Sequence, residues 1–207
     1  AVSAVHHHLI REGTRVRAGL VLETGEPRET HHFAALIGYG AGAINPYLAL
    51  ETIAGLVRES RIDATLSTEK AQENYLKAVH KGVVKTMSKM GISSVQSYRG
   101  AQIFEAIGLS QALVDEYFTG TPTSIGGLDI ASLEEEVLRR HHAAYLQNPM
   151  PETRELDNPG AYYWRRDGEE HMWNPDTISK LQYASRLNSW KMYEEFASLS
   201  NDEDLHR

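Results

Sequence analysis

An α/β fold is what this sequence predicts, and three features carry that reading. Short apolar runs bounded by glycine, such as RAGLVLE from Arg17 to Glu23, read as strands. Longer segments between them repeat apolar residues at helical spacing, as Tyr75, Leu76, Val79, Val83 and Met87 do. The connections are short, and the order strand–helix–strand–helix is that of βα units.

Residues 1–12 read as the end of a helix, with Gly13 as its stop. Arg17 to Glu23 then forms a strand. Thr30 can cap a helix running through HHFAALIGYGA. A short strand over Ala43 to Tyr47 leads into a helix to Arg58. Thr68 caps a long helix from Glu69 to about Met90, and Gly91 ends it. Ile92 to Ser97 reads as a strand in one sheet with Arg17 to Glu23. Ala101 to Ile107 reads as a short helix, Ser110 caps another to Phe118, and Asp129 or Ser132 opens a last one through about Gln147.

The character changes at Asn148. The segment from Asn148 to Asp176 holds four of the chain's seven prolines and two of its three tryptophans. Asn-Pro recurs at Asn148, Asn158 and Asn174, and the residue before a proline is pushed out of the helical region, so this stretch is an extended linker. Its rings, Tyr162, Tyr163, Trp164 and Trp173, read as surfaces that pack on something. Asp176 caps a helix from Thr177 to about Leu199. Two domains are therefore expected, 1–147 and 148–207.

Composition narrows the function. The 207 residues, 41% apolar and 24% charged, suit a globular protein of one large domain, or one and part of a second. A formal charge of -7 argues against a nucleic-acid surface, which would be basic. The absence of cysteine excludes disulfides, thiolate nucleophiles and Fe–S ligation by this chain, and fits a cytoplasmic protein. No apolar run approaches the roughly 20 residues that span a bilayer, and no signal peptide is recognisable. The first residues lack an initiator Met and begin mid-pattern, and SNDEDLHR has no tail character, so both ends read as cut.

Three places invite chemistry. Adjacent histidines on a helix point about 100° apart, so His6, His7 and His8 cannot converge on one ion. They read as satisfied or surface histidines, as do His31, His32, His141 and His142. The glycines of IGYGAGA (Ile37 to Ala43) follow a helical stretch where a dinucleotide loop must follow a strand, so they read as a tightly packed helix-to-strand turn. The third place is the polar cluster Ser93, Ser94, Gln96, Ser97, Tyr98, Arg99 and Gln102, with Glu105 one turn on. As a strand exit it falls where α/β folds hold ligands. The alternative is a loop held by an Arg99–Glu105 pair. From the residues alone the two readings stay open.

Long strings of this chain resemble the large subunit of bacterial glutamate synthase. They are GLVLETGEPRETHHFAALIGYGAGAINPYLALETI, NYLKAVHKGVVKTMSKMGISSVQSYRGAQIFEAIGLS, YFTGTPTSIGGLD and the whole run from Asp157 to Arg207. The resemblance implies that residues 1–147 are the C-terminal part of the family's central domain, built of degenerate, barrel-like βα units. Residues 148–207 would be the linker and helix leading into a TIM-type, FMN-binding barrel. It implies a parent reaction in which glutamine is hydrolysed and its ammonia passes through an internal tunnel to 2-oxoglutarate, where flavin hydride reduces the imine. Ser93, Gln96, Ser97, Tyr98 and Arg99 are the expected tunnel-lining or bracing residues, and no catalytic, cofactor-binding or metal-ligating residue is assigned.

The family's FMN and 3Fe–4S cluster would belong to the parent. The chain has neither the cysteines nor the Thr-Gly-Ala-Met-Ser-type strand that opens the flavin barrel. Implied partners are the parent's glutaminase, FMN-barrel and β-helix domains, and a small subunit or ferredoxin, with no nucleic acid or membrane. The competing readings are a small independent enzyme using the Gln96–Glu105 cluster and a non-catalytic interaction module.

Overall fold

The computed structural model describes residues 1–63, 65–145, 160 and 163–201. They divide into two compact units, Ala1–Ala144 and Tyr145–Arg207. The linker residues 148–159 and Tyr162 lie outside the described residues. Among the described residues, no helix is long and apolar enough to cross a membrane.

The first unit is a mixed helix and strand structure with two small parallel sheets. Helix α1 (Val2–Arg11) is followed by a single 3-10 turn at Arg15–Arg17 and strand β1 (Val21–Glu23). Helix α2 (Thr30–Gly38) crosses to β2 (Ala43–Asn45), which pairs parallel to β1 with Leu22 opposite Ile44. Helices α3 (Tyr47–Arg58) and α4 (Thr68–Lys89) follow, then the short α5 (Val95–Tyr98). A second parallel pair, β3 (Ala106–Leu109) and β4 (Thr123–Leu128), is linked by α6 (Gln111–Tyr117), and α7 (Ile130–Ala144) closes the unit. Parallel strands are ordinarily covered on both faces, yet Val21, Ile107 and Ile125 are exposed.

The core lies where α4 crosses α2. Val83 and Met87 of α4 and Phe33 of α2 surround Tyr98 of α5, with Tyr75, Val79, Ile37, Ile44 and Phe104 packed around them. Leu76, expected on this face, is exposed. Tyr98 is 0% exposed, and its hydroxyl donates to the Ala34 carbonyl at 3.0 Å, so the ring is buried without stranding its polar end.

Several expected elements are corrected. Ile92 to Ser97 is not a strand, and so shares no sheet with β1: Ser94 caps α5, its Oγ accepting from the Ser97 amide at 3.2 Å and donating to Ser97 Oγ at 2.8 Å. That local bonding overrides the strand preference of Ile92 and Val95. Ala101 to Ile107 is not a helix, because Gln102 is left-handed (φ 53°) and Ala106 already donates to Pro122 in the second sheet. The first strand is shorter than expected: Arg17 ends the 3-10 turn, and residues 18–20 form the loop before Val21. Strand β4 went unread because Gly126 and Gly127 mask its apolar pattern. Two caps fall one residue earlier than expected. Glu29, in a capping box with His32, precedes Thr30, and Ser67, accepting from Lys70, precedes Thr68.

In the second unit the expected single helix is two, α8 (Pro175–Leu187) and α9 (Trp190–Asn201). The N-cap is Asn174 in place of Asp176; its Oδ1 accepts from the amides of Asp176 and Thr177 at 2.9 and 3.0 Å. Asn188 breaks the run by entering the left-handed region (φ 47°), which asparagine tolerates better than most residues. Tyr163, Trp164 and Trp173 keep exposed ring surface.

Candidate functional site

The IGYGAGA turn does what its context implies. Helix α2 ends at Gly38, and the amides of Tyr39, Gly40, Ala41 and Gly42 donate to Ala35, Ile37, Leu36 and Leu20 respectively. Every amide a phosphate would need is used inside the fold, so these residues do not fit the flavin phosphate. With no cysteine, the chain cannot ligate an iron–sulfur cluster either. Among the described residues, no three His, Cys, Asp or Glu side chains come together as a metal site.

Beside this turn is a cleft of about 250 Å³, walled by His6, His7 and Ile10 of α1, the Gly38–Tyr39 turn, the Gly100–Phe104 loop, and Thr119 and Thr121. Tyr39 stacks on Phe104 at 5.7 Å, meets Phe118 edge-on at 5.2 Å, and shares a 2.9 Å hydrogen bond with Thr121 Oγ1. The Gly100 amide donates to the Gly38 carbonyl at 2.7 Å, joining the two loops.

His6, read from the sequence as a satisfied or surface histidine, is buried and only half satisfied. It is 9% exposed, and Arg15 Nε donates to its Nδ1 at 2.9 Å. The same guanidinium donates to the carbonyls of Ala18 and Gly40 at 2.7 and 2.8 Å. A guanidinium can only donate, so His6 Nδ1 carries the lone pair and the ring proton sits on Nε2. Burial, and then the Arg15 and His7 charges, hold His6 below its ordinary pKa of 6.5. Burial and Arg11 lower His7 in the same direction. No linear motif announces His6, because its partners lie 9 and 34 positions away on the chain: Arg15 on the 3-10 turn and Gly40 on the α2–β2 turn.

A pH dependence follows. A histidine whose folded pKa is below its unfolded value binds its proton more readily unfolded, so this stability is complete above the unfolded pKa of 6.5 and is lost as pH falls below it towards the folded value. The thermal midpoint should fall between about pH 7.5 and about pH 5, above the carboxylate range. The variant His6→Gln should flatten that slope; an unchanged slope in the variant would place the titration elsewhere.

The expected tunnel residues fall around one turn of helix. Ser93, Gln96 and Ser97 are exposed, Arg99 is half-buried, and Tyr98 is in the core. Arg99 does not pair with Glu105, which accepts from Ser124 Oγ. The segment is not a strand exit: Arg99 lies near Gly42, just ahead of β2, and a Cβ on Gly42 would be 3.7 Å from its Nη1. The cleft is likewise formed by turns that precede β2, β3 and β4. Both therefore sit at the amino ends of strands, the opposite side from where α/β folds ordinarily hold substrate. Of the polar cluster read from the sequence, only Gln102 reaches the cleft.

Paired parallel strands, crossing helices and glycine-tight turns make the first unit an α/β domain. The particular family is fixed by sequence: residues 1–110 match the glutamate synthase central domain. The chain is 50% identical over 206 residues to the glutamate synthase (NADPH) large chain of Bacillus subtilis, covering 99% of this chain and 13% of that protein. It is 39% identical over 197 residues to the glutamate synthase (NADH) of Schizosaccharomyces pombe, covering 95% and 9%, and 42% identical over 209 residues to the ferredoxin-dependent glutamate synthase of Antithamnion, covering 97% and 13%. The chain belongs to the glutamate synthase central domain family, and it spans about an eighth or less of the length of these relatives.

Proposed function

We propose that the chain acts as a scaffold segment of a glutamate synthase large chain, bracing the internal route by which ammonia from glutamine reaches 2-oxoglutarate. The observation that carries this reading is 50% identity sustained across 99% of the chain to a glutamate synthase large chain. The reaction itself, its FMN, its 3Fe–4S cluster and its electron donor belong to other parts of the parent. Ammonia released into water at neutral pH is protonated and loses its nucleophilic lone pair, so the route must be enclosed. Polar, exposed Ser93, Gln96 and Ser97, with Arg99 beside them and Tyr98 anchoring the turn, would supply part of that enclosure. Residues 1–147 are assigned to the central domain and 148–207 to the linker and the start of the FMN-binding barrel.

Exposed Val21, Ile107 and Ile125 on parallel strands, and exposed Trp173 and Trp190, favour a surface that other domains of the parent cover. The same exposed rings are the observation that favours the alternative, an independent interaction module.

Two measurements test this. The 207-residue chain alone should neither release ammonia from glutamine nor copurify with flavin; flavin absorbance near one per chain would overturn the assignment. In an intact large chain, replacing Gln96 and Arg99 together by alanine should raise ammonia release relative to glutamate formed, as a leaking route would. An unchanged ratio would remove these residues from the route.

A further inference from the structure

We propose that the cleft between α1 and the Gly38–Tyr39 and Gly100–Phe104 turns is a binding site for a small carboxylate with a short apolar tail, held by His6 Nε2–H and the Gln102 side-chain amide. Three observations carry it, and none depends on the ammonia route.

The first is an unmatched donor. His6 is more than nine-tenths buried, its Nδ1 is occupied by Arg15, and its Nε2–H has no acceptor among the described residues. A Cβ built on Gly100 would lie 3.8 Å from Nε2, and Gly100 lines the cleft, so the bare N–H faces the cavity. A buried donor is ordinarily satisfied, and one that is not points to a missing acceptor.

The second is how the other polar groups of the wall are spent. Tyr39 and Thr121 bond to each other, and Thr119 Oγ1 donates to the Asp115 carbonyl. That leaves His7, whose ring meets His6 edge-on at 5.2 Å, and the Gln102 amide, neither of which has a hydrogen bond among the described residues. Gln102 is held at φ 53°, and a Cβ on Gly120 would come within 2.1 Å of its Nε2. A non-glycine residue held in the left-handed region is a kind of strain that gathers at ligand clamps.

The third is charge and size. No Asp or Glu lines the cleft, and the Arg15 guanidinium is bonded to the far side of the imidazole, so an anionic acceptor would be favoured at the N–H over a neutral one. Ile10 and the Phe104 ring supply apolar wall. At about 250 Å³ the space is below the roughly 300–1,000 Å³ of sites for larger ligands.

The test is titration of the 207-residue chain, with ¹⁵N-labelled histidine rings, by sodium propionate against sodium chloride at equal ionic strength. A saturable shift of His6 Nε2 with propionate and not with chloride is expected. Gln102→Gly, which relieves the left-handed backbone and so keeps the fold, should bind propionate about tenfold more weakly. A shift that does not saturate, or that chloride reproduces, would overturn the site. So would an unchanged affinity in Gln102→Gly, or propionamide binding as tightly as propionate.

Discussion

Replacing Tyr98 by alanine should lower the unfolding free energy by about 3–5 kcal/mol, as large aromatic truncations in cores do. The ring is fully buried where Phe33 of α2 meets Val83 and Met87 of α4, so its removal opens a cavity that both helices would have to collapse into. Tyr98→Phe keeps the volume and loses only the bond to the Ala34 carbonyl, a loss of about 1 kcal/mol. That carbonyl is not stranded by the change, because it sits within α2 where the Gly38 amide can reach it. Urea unfolding of the two variants beside the parent chain would separate the terms. Equal losses would mean that the hydroxyl, and not the packing, holds α5 in place.

Replacing Gly40 by alanine should cost roughly 3 kcal/mol, from two sources that act together. Gly40 has φ 111°, a region L side chains rarely adopt, and a Cβ there would lie 2.4 Å from His6 Nδ1. The imidazole cannot retreat without losing Arg15, whose guanidinium is also bonded to the Gly40 carbonyl. The variant should therefore detach α1 before it unfolds the rest. Amide exchange over residues 2–11 should speed up more than exchange in α4. Uniform acceleration across both helices would show that α1 docking and the core form one cooperative unit.

The helices were legible wherever a local signal set them. Gly13 and Gly91 stop α1 and α4, Ser110 caps α6, and the apolar spacing of α4 marks the face that carries Val83 and Met87 into the core. Ile92 to Ile107 was misread, and Thr123 to Leu128 missed, because their outcome is decided by partners distant in sequence. Ile92 to Ser97 has the composition of a strand, but Tyr98 must reach Ala34 in α2, and the Ser94 cap turns the chain to let it. Strand β4 forms because β3 is beside it, although its two glycines weaken any local preference. The misreading carried over to the site: with no strand at Ile92 to Ser97, the polar cluster lost its place at a carboxyl edge. The cleft was invisible for the same reason, since His6, Gly40, Gly100 and Gln102 share no motif and meet only through the fold. The family was legible because long strings, unlike short motifs, are seldom shared by chance.

The two parallel pairs and helix α1 differ in how much chain each must close. β1 and β2 are joined by a single short helix, as are β3 and β4, so each pair closes a short loop and needs little of the chain to be in place. Helix α1 is different: its Ser3 hydroxyl donates to the Tyr117 carbonyl 114 residues later. Of the hydrogen bonds described in the unit it closes the longest loop, and so carries the largest closure entropy. A long closure at one end of a unit whose strand pairs close locally predicts that the first dozen residues are secured late and exchange early when the native state opens locally.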